Sequence, residues 1–298
     1  MVIVQSLWVG NPLSDMETYC IRSFMNAGHE FHLYTYGKVK NIPNGVIIKN
    51  GNEIMPAKDI FRLKETFLPF SDIFRYKMLY EKGGYWVDLD MICIKKLDFK
   101  EPFVFSSERT IQKGAYKMKV PYVPNIGILK APPKSDFYKE LYEKCMEHHK
   151  KGINKDKIKY MRILRDTIDK YNYHNYVKEP SYFCHLDWWY AKDAFLDLPS
   201  LRPKYGVPGK THQSMFNGPY TVHFWRDLVT KKYKLDTNGT YPPNSLWEQM
   251  KRFVDNNTNK NKNKNKSSKR ISKRTSKKVH KRTKKNTTRK NVSKKNKN

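Results

Sequence analysis

Residues 71–90 read SDIFRYKMLYEKGGYWVDLD. After Asp72 the apolar side chains recur at helical spacing, which predicts a helix with one buried side. The glycines at 83–84 end this helix, because glycine adopts the positive φ of a helix C-terminus without steric cost. The apolar residues that follow predict a strand over 85–94. The stretch therefore predicts a helix that folds back beside a strand.

Two aspartates, Asp88 and Asp90, lie in the predicted strand. Because strand side chains alternate, both carboxylates are predicted to point to the same side, away from Leu89. Paired carboxylates repel each other, and burying them is costly unless a cation lies between them. Hard oxygen ligands favour Mg²⁺ or Mn²⁺, which commonly bridge to phosphate oxygens. The pair predicts a divalent metal site that offsets charge on a departing diphosphate.

Asp72 and Arg75 are predicted to lie beside this pair. They are three positions apart, so they share one face of the predicted helix. The diglycine turn brings that face back towards Asp88 and Asp90. An arginine in this position neutralises a diphosphate, and an aspartate accepts hydrogen bonds from sugar hydroxyls. These four side chains are the predicted catalytic residues.

The elements on either side of this stretch predict an α/β fold. Residues 2–9 form an apolar strand, a helix capped by Ser14 or Asp15 ends near Gly28, and 31–36 form a second strand. Strand, helix, strand is the order of a parallel-paired α/β unit. The remaining predicted elements are strands at 104–106 and 126–129 and helices at 135–148, 158–171 and 246–254.

Charge divides the chain into a body, 1–255, and a tail, 256–298. Of the 59 Lys and Arg residues, 19 lie in the tail, which contains no Asp or Glu, so the body carries a net charge of +12. The tail has too few apolar residues to form a core and is predicted to be disordered. Its charge suits an anionic surface or nucleic acid, and a low-complexity extension without a dedicated partner is the alternative.

The motif S-D-x-x-R, helix, G-G, aromatic, D-x-D resembles the DXD-type sugar transferases of glycosyltransferase family 32. It is also similar to the catalytic domain of the large glucosylating bacterial toxins. The resemblance implies a GT-A fold, which is a Rossmann-like mixed sheet flanked by helices. It further implies a nucleotide-sugar donor with UDP-sugar favoured, Mn²⁺ or Mg²⁺ as cofactor, and retention of anomeric configuration. The acceptor would be a hydroxyl of a glycan, a protein or a small molecule.

The resemblance also implies roles for individual residues. Asp90 would ligate the metal, Asp88 would lie near the ribose and the metal, and Asp72 and Arg75 would hold the donor sugar. Other nucleotide-sugar contacts are implied on the first strand, by Gln5, Leu7 and Trp8.

Three residues further along the chain fit the same resemblance. Asn125 would hydrogen-bond sugar hydroxyls, with an ordinary turn residue as the alternative. His223 would complete the metal shell or contact the diphosphate, and Trp225 would cap the nucleotide. A packed core tryptophan is the alternative for Trp225, as it is for Trp8. The family usually has Gly or Ser before this tryptophan, and this chain has Phe224.

Two other functions are consistent with the sequence. One is a nucleic-acid-binding protein or metal nuclease that uses the basic tail. The other is an inactive sugar-nucleotide-binding module. The first gives no reason for the spacing of Asp72, Arg75 and the diglycine, and the only argument against the second is that every charged group of the motif is present. Asp187, which precedes two tryptophans, is interpreted as a surface residue, with an acceptor-facing role as the alternative.

The sequence also bears on the compartment. No run approaches the roughly 20 apolar residues that span a bilayer. The apolar run 1–9 has no basic residues before it, which argues against a signal peptide. The four cysteines are widely spaced and are interpreted as reduced, buried thiols. A cytoplasmic protein without a transmembrane segment is therefore expected.

Overall fold

A computed structural model describes residues 2–63, 66–110, 122–151, 158–261 and 263. The strands are β1 Ile3–Trp8, β2 Glu30–Thr35, β3 Ile47–Asn50, β4 Gly84–Val87, β5 Met91–Cys93, β6 Val104–Arg109, β7 Tyr122–Ala131, β8 Ser200–Leu201, β9 Lys210–Thr211 and β10 Thr221–His223. The α-helices are α1 Asp15–Asn26, α2 Leu68–Lys82, α3 Asp136–Lys150, α4 Ile158–Tyr171, α5 Pro180–Phe183, α6 Ser214–Asn217 and α7 246–261.

The main sheet has six strands in the order β3-β2-β1-β4-β7-β6. Strands β3, β2, β1 and β4 are parallel, whereas β7 runs antiparallel to both β4 and β6. The predicted mixed α/β fold with a parallel β1-α1-β2 start is confirmed. Because β1 and β4 are adjacent and parallel, their carboxyl ends open at one edge of the sheet, where α/β folds bind ligands.

Two hydrophobic clusters cover the two faces of this sheet. Alternate residues of each strand contribute to each cluster, as for Trp86 in one cluster and Tyr85 and Val87 in the other. The cluster around Trp86 includes residues of α2, α3 and α4. The other cluster includes residues of α1 together with Leu97 and the Phe183 end of α5. This double cover explains why the central strands are apolar on both sides.

The helices next to the site begin and end close to their predicted positions. In α1, Ser14 and Glu17 form a capping box, as expected from a Ser at N-cap with Glu at N3. Helix α2 begins at Leu68, three residues before its predicted start, because Pro69 fits the first helical turn, where no N–H is needed. It ends at Gly83, whose φ is 63°, as predicted.

The predicted strand over 85–94 is wrong, because it is two strands that belong to different sheets. Strand β4 pairs with β7, and β5 pairs antiparallel with β10. The chain turns at residues 89–90 between them. Aspartate is disfavoured in strands, and here the two aspartates mark the point where the pairing partner changes. The alternation argument for Asp88 and Asp90 therefore does not apply.

The last helix, α7, covers 246–261 and so continues past the predicted helix end at 254 and the predicted body boundary at 255. The chain divides into two units, 1–252 and 253–298. Most of the predicted tail lies outside the described residues.

Among the helices of the described ranges, none combines the length and apolar composition that a bilayer crossing requires. All four cysteines are buried and form no disulfide, as predicted.

Candidate active site

A cavity of about 350 Å³ opens at the carboxyl ends of β1 and β4. The end of β1 supplies Leu7 and Trp8, and the first half of α2 supplies Ser71 and Arg75. The turn after β4 supplies Asp88 and Asp90. Further lining residues are Glu17 on α1 and, beyond β10, Arg226, Asp227 and Lys231. The predicted motif thus lies on the wall of a cavity of ligand size.

Arg75 joins the two halves of the motif. Its guanidinium lies 3.1 Å from an oxygen of Asp72 and 2.9 Å from an oxygen of Asp88. It also donates to the carbonyl of Ile126 at 2.7 Å and lies 4.8 Å from the ring centre of Trp86. The Arg75 side chain is only 3% exposed, so these contacts hold the guanidinium in one geometry. Asp72, which is not among the cavity-lining residues, lies behind Arg75 and positions it.

Asp88 is held from three sides. Its backbone N–H donates to Gly127 O at 2.8 Å, which continues the β4–β7 pairing by one residue. Its Oδ1 accepts from Trp86 Nε1 at 2.8 Å and from Arg75. Trp86 was not predicted as a site residue, because its aromatic ring is indistinguishable from a core residue in the sequence. The carboxylate therefore has a fixed position at the cavity wall.

Asp90 is held by the segment that follows β10. Its carbonyl accepts from Phe224 N at 2.8 Å, and its Oδ2 accepts from Arg226 N at 2.8 Å. His223 Nε2 lies 3.2 Å from both carboxylate oxygens of Asp90 and donates to Oδ2. The chain thus brings together two residues that are 133 positions apart. The structure places His223 next to the motif, as the resemblance implied.

Asp88, Asp90 and His223 each offer an atom that could ligate a metal ion, and these atoms lie within 4.8 Å of one another. Asp90 Oδ1 is buried and accepts no hydrogen bond from the described residues. Two carboxylates and one imidazole, with a buried oxygen left over, suit a hard divalent cation. The donor set therefore fits Mn²⁺ or Mg²⁺.

Charges at the site shift the pKa of each group. Burial raises the pKa of Asp88, aided by the neighbouring Asp90, although Arg75 lowers it. Burial is the largest influence on Asp90 and opposes its ionisation, but the charge and hydrogen bond of His223 together with those of Arg226 lower the pKa of Asp90. Burial disfavours charge on His223, yet Asp90 raises its pKa well above the usual range. The two shifts have opposite signs, as expected for a histidine and a carboxylate that each stabilise the charged form of the other.

Trp225 contacts His223 instead of the cavity. Its ring stacks on the imidazole at 3.9 Å between centroids, and its Nε1 donates to Leu186 O at 2.8 Å. Trp225 is not among the cavity-lining residues, so the predicted nucleotide cap is not seen in its position. Its φ is 56°, a strained backbone for a bulky residue. This strained conformation turns the chain so that the backbone N–H of the next residue, Arg226, reaches Asp90.

Of the three predicted contacts on the first strand, two lie on the cavity wall. Leu7 and Trp8 line it, but Gln5 does not. The Gln5 amide lies further back along the strand, where it donates to Gly83 O at 2.7 Å and accepts from Tyr34 OH at 3.3 Å. Gln5 is therefore placed as a structural link between β1 and the end of α2.

Asn125 is next to the motif but is not among the cavity-lining residues. Its Oδ1 accepts from Gly127 N at 2.7 Å, and its Nδ2 donates to Glu108 at 2.5 Å. Ser106 Oγ donates to its carbonyl at 2.8 Å. The amide thus holds the β6–β7 irregularity in shape, as a turn asparagine does.

Asp187 is not the surface residue that the sequence suggested. Its side chain is fully buried and lies 2.8 Å from Arg109 Nη1 and 2.5 Å from Lys210 Nζ. Nothing in the sequence around Asp187 indicated these partners, which come from β6 and β9. The sequence likewise gave no indication that Glu17 and Arg226, which lie far apart in the chain, form an ion pair at the cavity.

Comparisons with known proteins agree with this geometry. Residues 10–110 match the family described as glycosyltransferase sugar-binding region containing DXD motif. The resemblance to DXD-type glycosyltransferases is confirmed. The matched DXD glycosyltransferase region contains Asp72, Arg75, Asp88 and Asp90 and supports a glycosyltransferase. The matched region ends before Asn125 and before the segment after β10. Only the structure therefore shows that these residues lie near the motif.

A solved chain titled PaToxG Glycosyltransferase resembles this one with a TM-score of 0.43 at 11% identity. The similarity covers 57% of this chain and 69% of that chain. No curated protein sequence matches the chain. The DXD glycosyltransferase region is therefore the comparison that bears on function.

Proposed function

We propose that the chain is a metal-dependent glycosyltransferase that moves a sugar from a nucleotide-sugar donor to an acceptor hydroxyl with retention of configuration. The observation that carries this proposal is the convergence of Arg75, Asp88 and Asp90 at one wall of a cavity of about 350 Å³, with Asp72 paired to Arg75 behind that wall. The match of residues 10–110 to a DXD glycosyltransferase region supports the reaction class.

Asp88, Asp90 and His223 would hold the ion, with Mn²⁺ or Mg²⁺ as the hard cation that suits them. When bound, the ion supplies positive charge beside the diphosphate leaving group. His223 Nε2 lies 3.2 Å from Asp90 Oδ2, and direct coordination of the ion by this nitrogen would require the neutral imidazole. Metal affinity would therefore fall as the imidazole is protonated.

Arg75 is the group of this chain that stabilises the departing diphosphate. The charges of Asp88 and Asp72 raise its pKa despite its burial, so it stays a cation. Because Asp72, Asp88 and Ile126 O fix its guanidinium, it does not have to reorganise as charge develops on the leaving group. Arg75 would also hold the donor sugar from the cavity wall, with Asp72 behind it as its partner.

The base and ribose would lie against Leu7 and Trp8, which line the same cavity. An indole offers a flat face suited to a nucleobase. A UDP-sugar is the favoured donor, by the resemblance of the motif. The acceptor is a hydroxyl of a glycan, a protein or a small molecule.

The test is hydrolysis of the donor in the absence of acceptor. Purified protein with Mn²⁺ is incubated with UDP-glucose, UDP-galactose, UDP-N-acetylglucosamine or GDP-mannose, and released nucleoside diphosphate is measured. We expect slow release from one of these donors, which chelation with EDTA abolishes. Absence of release and of donor binding for all four, with and without metal, would refute the proposal.

A further inference from the structure

The segment after β10 brings a cation to the cavity that the motif does not include. Arg226 lines the cavity, and its side chain is 40% exposed there. Its Nε lies 2.6 Å from a carboxylate oxygen of Glu17, and its guanidinium carbon lies 5.4 Å from the ring centre of Trp8. Neither Arg226 nor Glu17 belongs to the predicted set of site residues.

Glu17 is built to hold this arginine. Its side chain is fully buried, and its other oxygen accepts from the backbone N–H of Ser14 at 2.7 Å and from the Ser14 hydroxyl. The carboxylate is thus anchored in the first turn of α1. A buried carboxylate is costly without a cation, so the position of Arg226 is strongly favoured.

The backbone of Arg226 is fixed as well. The strained φ of 56° at Trp225 turns the chain so that Arg226 N donates to Asp90 Oδ2 at 2.8 Å. Arg226 therefore contacts the predicted metal ligand Asp90 through its backbone. Its side chain reaches Trp8, the predicted contact for the nucleobase, which we call the base platform. The diphosphate of a nucleotide lies between its metal and its base.

The guanidinium retains donors for a ligand. Glu17 faces Nε, and among the described residues no hydrogen-bond partner is found for the two terminal nitrogens of Arg226. A planar guanidinium with free N–H bonds on its exposed edge matches the geometry of phosphate oxygens. Lys231, at the rim of the cavity, already pairs with Asp227 at 2.7 Å and is the less suited cation.

We propose that Arg226, positioned by Glu17, binds the phosphates of the nucleotide donor. This inference rests on the proposed function, because it takes a nucleoside diphosphate as the ligand of the cavity.

The experiment measures binding of UDP and of uridine to the full chain with Mg²⁺, by calorimetry and ligand-observed NMR. Replacing Arg226 alone leaves Glu17 buried without its cation, so the main variant is Glu17→Gln combined with Arg226→Gln, which removes both charges and keeps polar side chains. Arg226→Lys keeps the charge. Arg165→Gln, on the exposed face of α4, is the matched control.

We expect the neutral pair to lose about ten- to a hundredfold in UDP affinity, the range of a charge-assisted hydrogen bond, with uridine binding unchanged. Arg226→Lys should lie between this variant and the wild type, and Arg165→Gln should match the wild type. If the neutral pair does not fold by circular dichroism, single Arg226→Gln against Arg226→Lys makes the same comparison.

Wild-type UDP affinity in the neutral variant would overturn the inference while leaving the proposed function intact. Equal weakening of UDP and uridine would also overturn it, because the effect would then be on the base platform. A wild-type protein that binds neither UDP nor GDP would refute the nucleotide-donor proposal itself, and the Arg226 inference with it.

Discussion

Two buried ion networks in this protein are built in opposite ways. In one, a single cation lies between two carboxylates, and in the other a single carboxylate lies between two cations. The partners of Arg75 are Asp72 and Asp88, and the partners of Asp187 are Arg109 and Lys210. The Arg75 network joins residues within 72–88, whereas the Asp187 network ties together segments that are far apart in the sequence.

The difference lies in the sign of the charge left over and in what the network faces. With Asp90 and His223 included, the Arg75 network has three carboxylates against one arginine and one histidine, and its members Arg75, Asp88 and Asp90 line the cavity. The Asp187 network has one more cation than carboxylates, and none of its three members lines that cavity. The surplus negative charge of the Arg75 network at the cavity suits a metal ion. The Asp187 network, which does not line the cavity, stabilises the fold instead.

The largest effect is expected from Arg75→Met. Asp72 and Asp88 would stay buried without their cation, which costs about 3–5 kcal/mol of folding free energy. Donor hydrolysis should fall by a hundredfold or more, the order expected when a fixed donor to a developing charge is removed. Thermal melting and diphosphate release measure the two effects. Arg165→Met is the control, and an unchanged rate in a folded Arg75→Met protein would contradict the assigned role.

Asp90→Asn distinguishes an effect on metal binding from an effect on folding. The amide keeps the hydrogen bond from Arg226 N but loses the charge that a divalent cation requires. We expect at least about a hundredfold slower hydrolysis with an unchanged circular dichroism spectrum. The rise in melting temperature on adding Mn²⁺ should disappear with it. Wild-type stabilisation by Mn²⁺ in this variant would exclude Asp90 as a ligand.

Asp187→Asn tests the second network. Arg109 and Lys210 would lose their shared counter-charge in a buried position, which should lower the free energy of unfolding by about 3 kcal/mol. Because the network does not line the cavity, the rate of donor hydrolysis should stay at the wild-type value. Urea denaturation and the hydrolysis assay decide this. A fall in rate without a fall in stability would instead place Asp187 at the acceptor side.

The smallest effect concerns acid sensitivity. Burial and the nearby charges of Lys210 and Arg109 lower the pKa of His185 to about 4, from an ordinary value of 6.5. Between these two values the unfolded chain binds a proton that the folded chain does not. Stability from this residue is therefore complete above pH 6.5 and is lost as the pH falls to about 4.

His185→Gln should flatten this part of the pH profile. Since His185 is partly exposed, the difference between pH 7 and pH 4 is about 1–2 kcal/mol. Urea denaturation of both proteins across this pH range measures it. The pKa of His223 in the first network shifts upward, so His185 and His223 respond to acid with opposite sign. Parallel profiles for the His185 variant and the wild type would show that another group carries the acid sensitivity.

The local elements near the motif were predictable because their signals lie within a few residues of each other. Helix α2 and its glycine stop, the β1-α1-β2 unit and the capping box of Ser14 all follow from short patterns. The position of Asp88 and Asp90 was predicted for the wrong reason. They share a site because β4 ends at residue 87 and the chain turns, and no alternation along one strand is involved.

The sequence by itself determined the α/β fold class and the motif residues Asp72, Arg75, Asp88 and Asp90, because a helix, a diglycine stop and a strand place them close together through local geometry. The family resemblance implied His223, but only the tertiary structure decided that Glu17 and Arg226 complete the site. All three residues reach the site through the pairing of β5 with β10 and the packing of α1, which are long-range contacts. Such contacts depend on the burial of the whole core, and no spacing within the sequence encodes them.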